Sequence, residues 1–449
     1  MRQIYFIGIG GIGMSAIARY YKFKGYEVSG YDRTPSELTR QLEQEGIAIH
    51  YEDRPDLLPK DKEQSLIIYT PAIPKELQEL TKARDEGYRL LKRSQVLGEL
   101  TKGERTLAVA GTHGKTTTSS LIAHILESSG VGCNAFLGGI SLNYGTNYLF
   151  NANSLVVVEA DEFDRSFLQL HPQISVITAM DADHLDIYGN LENMQQAYRD
   201  YAAQVEEGIV AKFGLPLDQK DFKAHIYSYH LEDERADFHA TNIRGQEDGH
   251  YVFDLVHPNG RIKDIRVGTL GRLNVENSVA AAAVCLLQGV EEKQIKEGIG
   301  TFKGVKRRLE EHLNSQKLTY IDDYAHHPAE IKAALSSIRE MFPQRKLTAI
   351  FQPHLYSRTR DFAKEFAQAL SLADQVVLLD IYPARELPIE GVSSELIFKD
   401  IDCKEKKLLN YEELLDWLQS KELEVVVSLG AGNIDRLVQP IKELLTKRV

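Results

Sequence analysis

Short apolar runs recur along the chain, and stretches with helical spacing separate them. Ile4–Ile7, Val28–Tyr31, Leu66–Tyr69, Leu107–Ala110, Leu155–Val158 and Ser175–Thr178 form one set. Leu318–Ile321, Leu347–Phe351, Val376–Leu379 and Val425–Leu429 form a second. These runs are apolar at consecutive positions, as strands covered on both faces must be. Strands that alternate with helical patterns predict parallel α/β units. Residues 237–267 differ: Tyr251-Val252-Phe253-Asp254-Leu255 alternates and Pro258-Asn259-Gly260 is a turn signal, which predicts antiparallel strands. Breaks near Thr101-Lys102-Gly103-Glu104 and Gly304-Val305-Lys306-Arg307-Arg308 suggest domains at 1–103, 104–308 and 309–449. A chain of 449 residues suits three such units.

Two glycine loops each follow a predicted strand and open a predicted helix. The first is Gly8-Ile9-Gly10-Gly11-Ile12-Gly13, with Asp32 ending the next strand. Its glycines allow backbone to approach a diphosphate at a helix N-terminus, and the acid suits a ribose. Alone it reads as a dinucleotide site, or as a tight turn without a ligand. The second is Gly111-Thr112-His113-Gly114-Lys115-Thr116-Thr117, before a helix with Leu121, Ile122, Ile125 and Leu126 on one side. Backbone N–H groups there would cradle phosphates, Lys115 would reach the β/γ oxygens and Thr116 would hold Mg²⁺. Val109 stands where a common phosphate loop has its first glycine. A nicotinamide dehydrogenase needs no second loop, and an ordinary ATPase needs no first one.

Carboxylates cluster past the ends of two strands: Glu159-Ala160-Asp161-Glu162-Phe163-Asp164, and Asp181-Ala182-Asp183-His184-Leu185-Asp186. Beside a phosphate loop, Glu159 is a candidate ligand for Mg²⁺, which takes oxygen donors. His184 suits Mn²⁺ better than Mg²⁺.

Charge narrows the partners. A net charge of -12 argues against nucleic acid as a partner, which needs a basic surface. Cys133, Cys285 and Cys403 have no metal or disulfide spacing and read as free thiols. The apolar runs are far too short to span a membrane, and no secretory-type stretch precedes the first strand. The expectation is a soluble, cytoplasmic protein.

Taken together, Gly-Thr-His-Gly-Lys-Thr-Thr at 111–117, Glu-Ala-Asp-Glu at 159–162, Asp-His-Leu-Asp at 183–186 and Asn274-Val275-Glu276-Asn277 resemble the Mur ligases. So do Lys306-Arg307-Arg308 and Asp323-Tyr324-Ala325-His326-His327-Pro328. The resemblance spans essentially the whole chain. Ile7–Ser15, His326-His327-Pro328 and Gln352-Pro353-His354 resemble the alanine-adding branch. It implies an α/β chain of three domains: a Rossmann-like UDP-binding domain, a central P-loop ATPase domain and a Rossmann-like C-terminal domain for the amino acid. It implies ATP-dependent ligation of L-alanine to the lactyl carboxylate of UDP-N-acetylmuramate through an acyl phosphate, with Mg²⁺ or Mn²⁺, by a monomer or weak dimer.

The resemblance also assigns residues. Gly10, Gly11, Gly13 and Ser15 would hold the UDP diphosphate, with Asp32, His50, Thr70 and Arg93 near the nucleotide-sugar. Gly111, Thr112, His113, Gly114, Lys115, Thr116 and Thr117 would bind ATP, with Asn277 near adenine and Arg308 near phosphate. Thr116, Glu159 and His184 would serve the metal; Lys115, Glu159, His184 and Arg308 would be catalytic. Tyr324, His354 and Arg358 would form the alanine site, Arg358 pairing its carboxylate through paired donors. Leu273, Leu355, Phe163 and Asn433 depart from the family pattern. The sibling ligases use a lysine downstream of His184, and the one lysine before Gly214, Lys212, is too far along. The alternatives are a recycling ligase that attaches a tripeptide to the same UDP-sugar, a nicotinamide oxidoreductase, and a ligand-binding sensor of the same fold.

Overall fold

A computed structural model describes residues 2–74, 76–384 and 386–449, without the side chains of Leu185 and Asp186. Five strands, β1 Gln3–Ile7, β2 Glu27–Tyr31, β3 Ala48–His50, β4 Ser65–Tyr69 and β5 Leu90–Lys92, make an N-terminal sheet. Its order is β3-β2-β1-β4-β5 and every pair is parallel. The middle sheet has ten strands. They are β6 Arg105–Ala110, β7 Asn134–Ser141, β8 Thr146–Leu149, β9 Leu155–Glu159, β10 Ile174–Ile177, β11 Gly208–Lys212, β12 His225–His230, β13 Phe238–Gly245, β14 Tyr251–His257 and β15 Gly260–Arg266. Their order is β15-β14-β13-β12-β11-β10-β6-β9-β7-β8. The last sheet holds β16 Glu310–Asn314, β17 Thr319–Asp323, β18 Leu347–Phe351, β19 Gln375–Leu378, β20 Glu405–Leu408 and β21 Val425–Leu429, ordered β16-β17-β21-β18-β19-β20.

The predicted α/β class is therefore observed. Each consecutive apolar run is a strand shielded on both faces; β17, β18 and β21 are buried at every position. Three predicted runs are displaced: β10 begins one residue earlier at Ile174, β19 one earlier at Gln375, and β17 begins one later at Thr319 and runs to Asp323. Within residues 237–267, β14 and β15 are joined by only two residues, a connection that antiparallel strands alone can make. Several strands were not legible beforehand. β7 has only the short run Ala135-Phe136-Leu137 before Gly138 and Gly139, β8 contains Thr146 and Asn147, and β16 carries Glu310, Glu311 and His312.

By contacts the chain forms two compact units. One comprises Met1–Ala240, Leu255–Ile262 and Asn277–Phe302; the other comprises Thr241–Asp254, Lys263–Glu276 and Lys303–Val449. In each sheet the strand order reverses at a central strand, and ligand crevices of open α/β sheets lie beyond the C-terminal ends of strands at such points. The reversals fall at β1, β6 and β21, and the loops after them are Gly8–Gly13, Gly111–Lys115 and Gly430–Asn433. No helix among the described residues is long and apolar enough to cross a membrane.

Candidate active site

The second glycine loop joins β6 to the helix Lys115–Ser128. Gly114 precedes that helix with φ +76°, and Gly111 has φ +132°, where a Cβ would run into Thr178, directly after β10. Only glycine fits there without strain. The Thr178 hydroxyl closes the loop by donating to the carbonyls of Ala110 and His113. Thr112 and Thr116 are buried, and His113 is exposed beside Asp181 at 3.4 Å. Asn277 lies against the same turn: a Cβ on Gly114 would meet its Oδ1 at 2.9 Å, and the Thr118 hydroxyl is 3.4 Å from that oxygen.

Lys115 is held inside the loop. Its ammonium donates to the Gly111 carbonyl at 2.7 Å and to the Glu162 carboxylate at 2.8 Å. Glu162 is almost fully buried; burial pushes its carboxyl up, and the Lys115 charge pulls it back. Thr116 donates to Glu159 at 2.8 Å. The predicted metal residues thus fall into two groups. Thr116 and Glu159 form one, an oxygen set of the kind Mg²⁺ takes. His184 belongs to the other, with Glu162 and Asp183; their ligand atoms all lie within 4.8 Å of one another. The Phe163 ring meets the His184 ring edge-on at 5.3 Å, so this departure from the family pattern packs on the candidate ligand.

A cavity of about 290 Å³ opens between the first glycine loop and this acid cluster, lined by Gly11, Gly13, Thr70, Arg93, Glu159 and Asp161 among others. Arg93 sits over the loop, its Nη1 2.8 Å from where a Gly13 Cβ would be. Four of the predicted nucleotide-sugar residues stand differently. Gly10 is not in the lining, and its N–H donates to Asp32 at 2.7 Å. Asp32 therefore braces the loop in this state. Ser15 is fully buried; its hydroxyl donates to the Ile12 carbonyl and accepts from Asn147. His50 is turned onto the other face of the sheet, with both ring nitrogens engaged by Tyr5 and Glu52.

In the C-terminal unit, the predicted alanine residues gather past β17 and β18. The half-exposed Tyr324 ring lies 5.2 Å from His326, whose ring is 6.0 Å from His354. Arg308 and Arg307 sit 5.9 and 5.3 Å from the Tyr324 ring centre. Burial lowers the basicity of His326, and the charge of Arg358, on the helix Tyr356–Asp361, acts in the same direction against that of Glu330. Leu355 precedes that helix at φ +73°, and its N–H donates to the Tyr382 carbonyl at 3.0 Å. Asn433 accepts from Gln352 at 2.9 Å and from the Tyr411 hydroxyl at 2.5 Å.

Residues 3–105 match the Mur ligase family catalytic domain, 109–285 the Mur ligase middle domain and 307–432 the Mur ligase glutamate ligase domain. The chain belongs to the Mur ligase family. It is 50% identical to the UDP-N-acetylmuramate–L-alanine ligase of Porphyromonas gingivalis, over 99% of each chain. It is 50% identical to the ligase of that name from Phocaeicola vulgatus, over 100% of this chain and 99% of the relative. The crystal structure of the UDP-N-acetylmuramate-alanine ligase of Thermotoga maritima superposes with TM-score 0.84 at 27% identity, covering all of both chains. ATP is the co-substrate this family implies for the second loop.

Within this Mur ligase, sequence reasoning passed over three residues that the structure puts beside the site. Glu162 was visible only as part of an acidic run, and its burial against Lys115 sets it apart. Thr178 directly follows β10, a position with no motif. Asn147 sits in a glycine- and asparagine-rich stretch, yet it joins the first loop to β8 through Ile12, Ser15 and Arg19.

Proposed function

We infer that this chain ligates L-alanine to the lactyl carboxylate of UDP-N-acetylmuramate with cleavage of ATP to ADP and phosphate, in the cytoplasm, as a step of peptidoglycan precursor synthesis. One observation carries the reading. The cavity beside the diphosphate-type glycine loop carries Arg93 on that side and Glu159 on the other, and Glu159 accepts from Thr116 of the ATP-type loop. The full-length identity to alanine-adding ligases supports the same choice.

A carboxylate oxygen is a poor leaving group until phosphorylated. In the first step a lactyl oxygen attacks the γ-phosphorus, and the bond from that phosphorus to the ADP oxygen breaks. Lys115 would leave Glu162 for the phosphate oxygens and offset charge there. In the second step the alanine amine attacks the acyl carbon. The tetrahedral adduct expels phosphate, and the amine loses its proton. Thr116 and Glu159, with His184 near Glu162, are the residues that would hold Mg²⁺ or Mn²⁺. Such an ion supplies charge neutralisation at the transferring phosphoryl oxygens. Gly11, Gly13 and Arg93 would hold the diphosphate, with Gly10 and Ser15 shaping the loop and Asp32, His50 and Thr70 at the nucleotide-sugar. Asn277 and Arg308 would face ATP; Tyr324, His354 and Arg358 would receive alanine.

The test is phosphate release from ATP, Mg²⁺ and UDP-N-acetylmuramate with each amino acid in turn. The expected result is strongest release with L-alanine and a product heavier by one alanyl residue. Release only with a tripeptide would instead make this a recycling ligase, and no release with any acceptor would leave a binding protein.

A further inference from the structure

The two arginines of Lys306-Arg307-Arg308 stand differently. Arg308 is exposed, whereas the Arg307 side chain is only 11% exposed. Arg307 has φ +61° and Leu309 φ +43°, left-handed conformations that a Cβ disfavours. Acids hold both: the Arg307 N–H donates to Glu310 at 2.7 Å, and the Leu309 N–H donates to Asp323 at 2.7 Å. The Arg307 side chain is turned onto the sheet. Its Nε donates to Asp322 of β17 at 2.8 Å, and its Nη2 donates to the Gly430 carbonyl, just past β21, at 2.5 Å. Asp322 is fully buried, and its other oxygen accepts from the Ser428 hydroxyl of β21. The Tyr324 ring lies 5.3 Å from the same guanidinium, within cation–π range, and the Tyr324 N–H donates to the Arg307 carbonyl at 2.8 Å.

These contacts lie at the ligand crevice of the C-terminal sheet. β17 and β21 are parallel neighbours that end level, Asp323 opposite Leu429, so Tyr324 and Gly430 are the first residues past them. The strand order reverses at β21, where such crevices open. A cavity of about 470 Å³ is lined by Gln352, just past β18, by Asn433, in the loop after β21, and by Tyr382 among others. The predicted alanine residue His354 stacks on Tyr382 at 5.8 Å. Gly430 packs so closely on Gln352 that a Cβ there would meet the Gln352 carbonyl at 2.7 Å. Arg307 therefore touches both the strand end that carries Tyr324 and the loop that leads into this lining.

We propose that Arg307 is a positioning residue of the amino-acid site: held between Asp322 and the Gly430 carbonyl, it fixes the Tyr324 ring and the Gly430 loop without touching substrate itself. The proposal rests on the reading that alanine is received at Tyr324, His354 and Arg358. A guanidinium suits the task. Its planar fork presents Nε to one acceptor and Nη2 to another at a fixed angle, and its face can lie against a ring at the same time. A lysine would keep the charge and lose that angle. Arg308, exposed and 5.9 Å from the same ring centre, is the arginine of the pair that would meet ATP.

The experiment compares steady-state kinetics and melting temperature for the natural chain, Arg307→Lys, Asp322→Asn and Arg358→Ala. Arg307→Lys keeps a positive charge beside the buried Asp322, so the chain should fold. Its KM for L-alanine should rise about tenfold, as loss of a charge-assisted hydrogen bond implies, while kcat at saturating L-alanine stays within about threefold. The KM values for ATP and UDP-N-acetylmuramate should stay within about twofold. Asp322→Asn covers the case in which Arg307→Lys folds poorly. Its amide can still accept from Arg307 and donate to Ser428, and its KM for L-alanine should rise in the same sense. An unchanged KM for L-alanine in both variants, with or without a lower melting temperature, would leave Arg307 a purely structural residue and overturn the proposal. A rise confined to the KM for ATP would place Arg307 at the nucleotide and overturn it too. If Arg358→Ala leaves the KM for L-alanine unchanged, the placement of alanine fails and the proposal with it. A rise in Arg358→Ala without one in Arg307→Lys and Asp322→Asn overturns the positioning alone.

Discussion

The Arg93 guanidinium, packed over Gly13 at the first glycine loop, donates to the Asp161 carboxylate at 3.0 Å, two residues past Glu159. One side chain thereby touches both the candidate diphosphate loop and the acid cluster of the candidate phosphoryl-transfer site. Arg93→Ala should raise the KM for UDP-N-acetylmuramate about 10- to 100-fold, the range for losing charge-assisted hydrogen bonds. Steady-state kinetics check this; an unchanged KM would remove Arg93 from the substrate site.

Lys115 is tied to Gly111 and Glu162, and in the proposed reaction it would have to be released to reach ATP. Lys115→Ala should reduce kcat at least about 10³-fold, as for loss of a charge at a developing phosphoryl transition state. UDP binding, measured by calorimetry, should remain. Near-normal turnover would refute the ATP-site assignment.

Arg358 lies with His326 and His354 in the C-terminal unit. Arg358→Ala should raise the KM for L-alanine roughly 10-fold or more while leaving that for ATP nearly constant. An effect confined to ATP would move Arg358 out of the amino-acid site.

Asn147 is fully buried and satisfies Ile12, Ser15 and Arg19 together. Asn147→Ala should destabilise the chain by about 1–3 kcal/mol, the cost of stranding buried polar partners. A urea unfolding midpoint that does not fall would show that these contacts are dispensable.

His124 is buried between the Tyr144 hydroxyl at 2.9 Å and the Thr301 hydroxyl at 3.0 Å, and burial lowers it from 6.5 to about 4. The unfolded chain binds this proton more tightly, so the contribution is complete above 6.5 and fades as pH falls toward 4. The loss is up to ~3 kcal/mol. In unfolding experiments across that window, His124→Gln should show a shallower fall in stability than the natural chain. Equal slopes would mean that His124 does not contribute.

The strands that carry the two loops were legible because a strand covered on both faces must be apolar at successive positions, and Leu107–Ala110 and Leu155–Val158 are. Gly8–Gly13 and Gly111–Thr117 were legible because close backbone approach excludes side chains. β8 and β16 were not: Asn147 of β8 pairs with Ile12, Ser15 and Arg19 far along the chain, which spacing does not reveal, and Glu310, Glu311 and His312 leave β16 without an apolar run.

By itself the sequence determined the α/β class, the two strand–glycine-loop–helix turns and the family, since each depends on local pattern or on a motif read in order. Tertiary structure decided which side chains meet. It turned Ser15 and His50 away from the cavity, set Asp32 on Gly10, buried Glu162 against Lys115, and held Arg307 between Asp322 and Gly430. The partners in those pairs stand from 15 residues apart, for Arg307 and Asp322, to 123 apart, for Arg307 and Gly430. A hydrogen bond depends on distance in space, not on separation along the sequence.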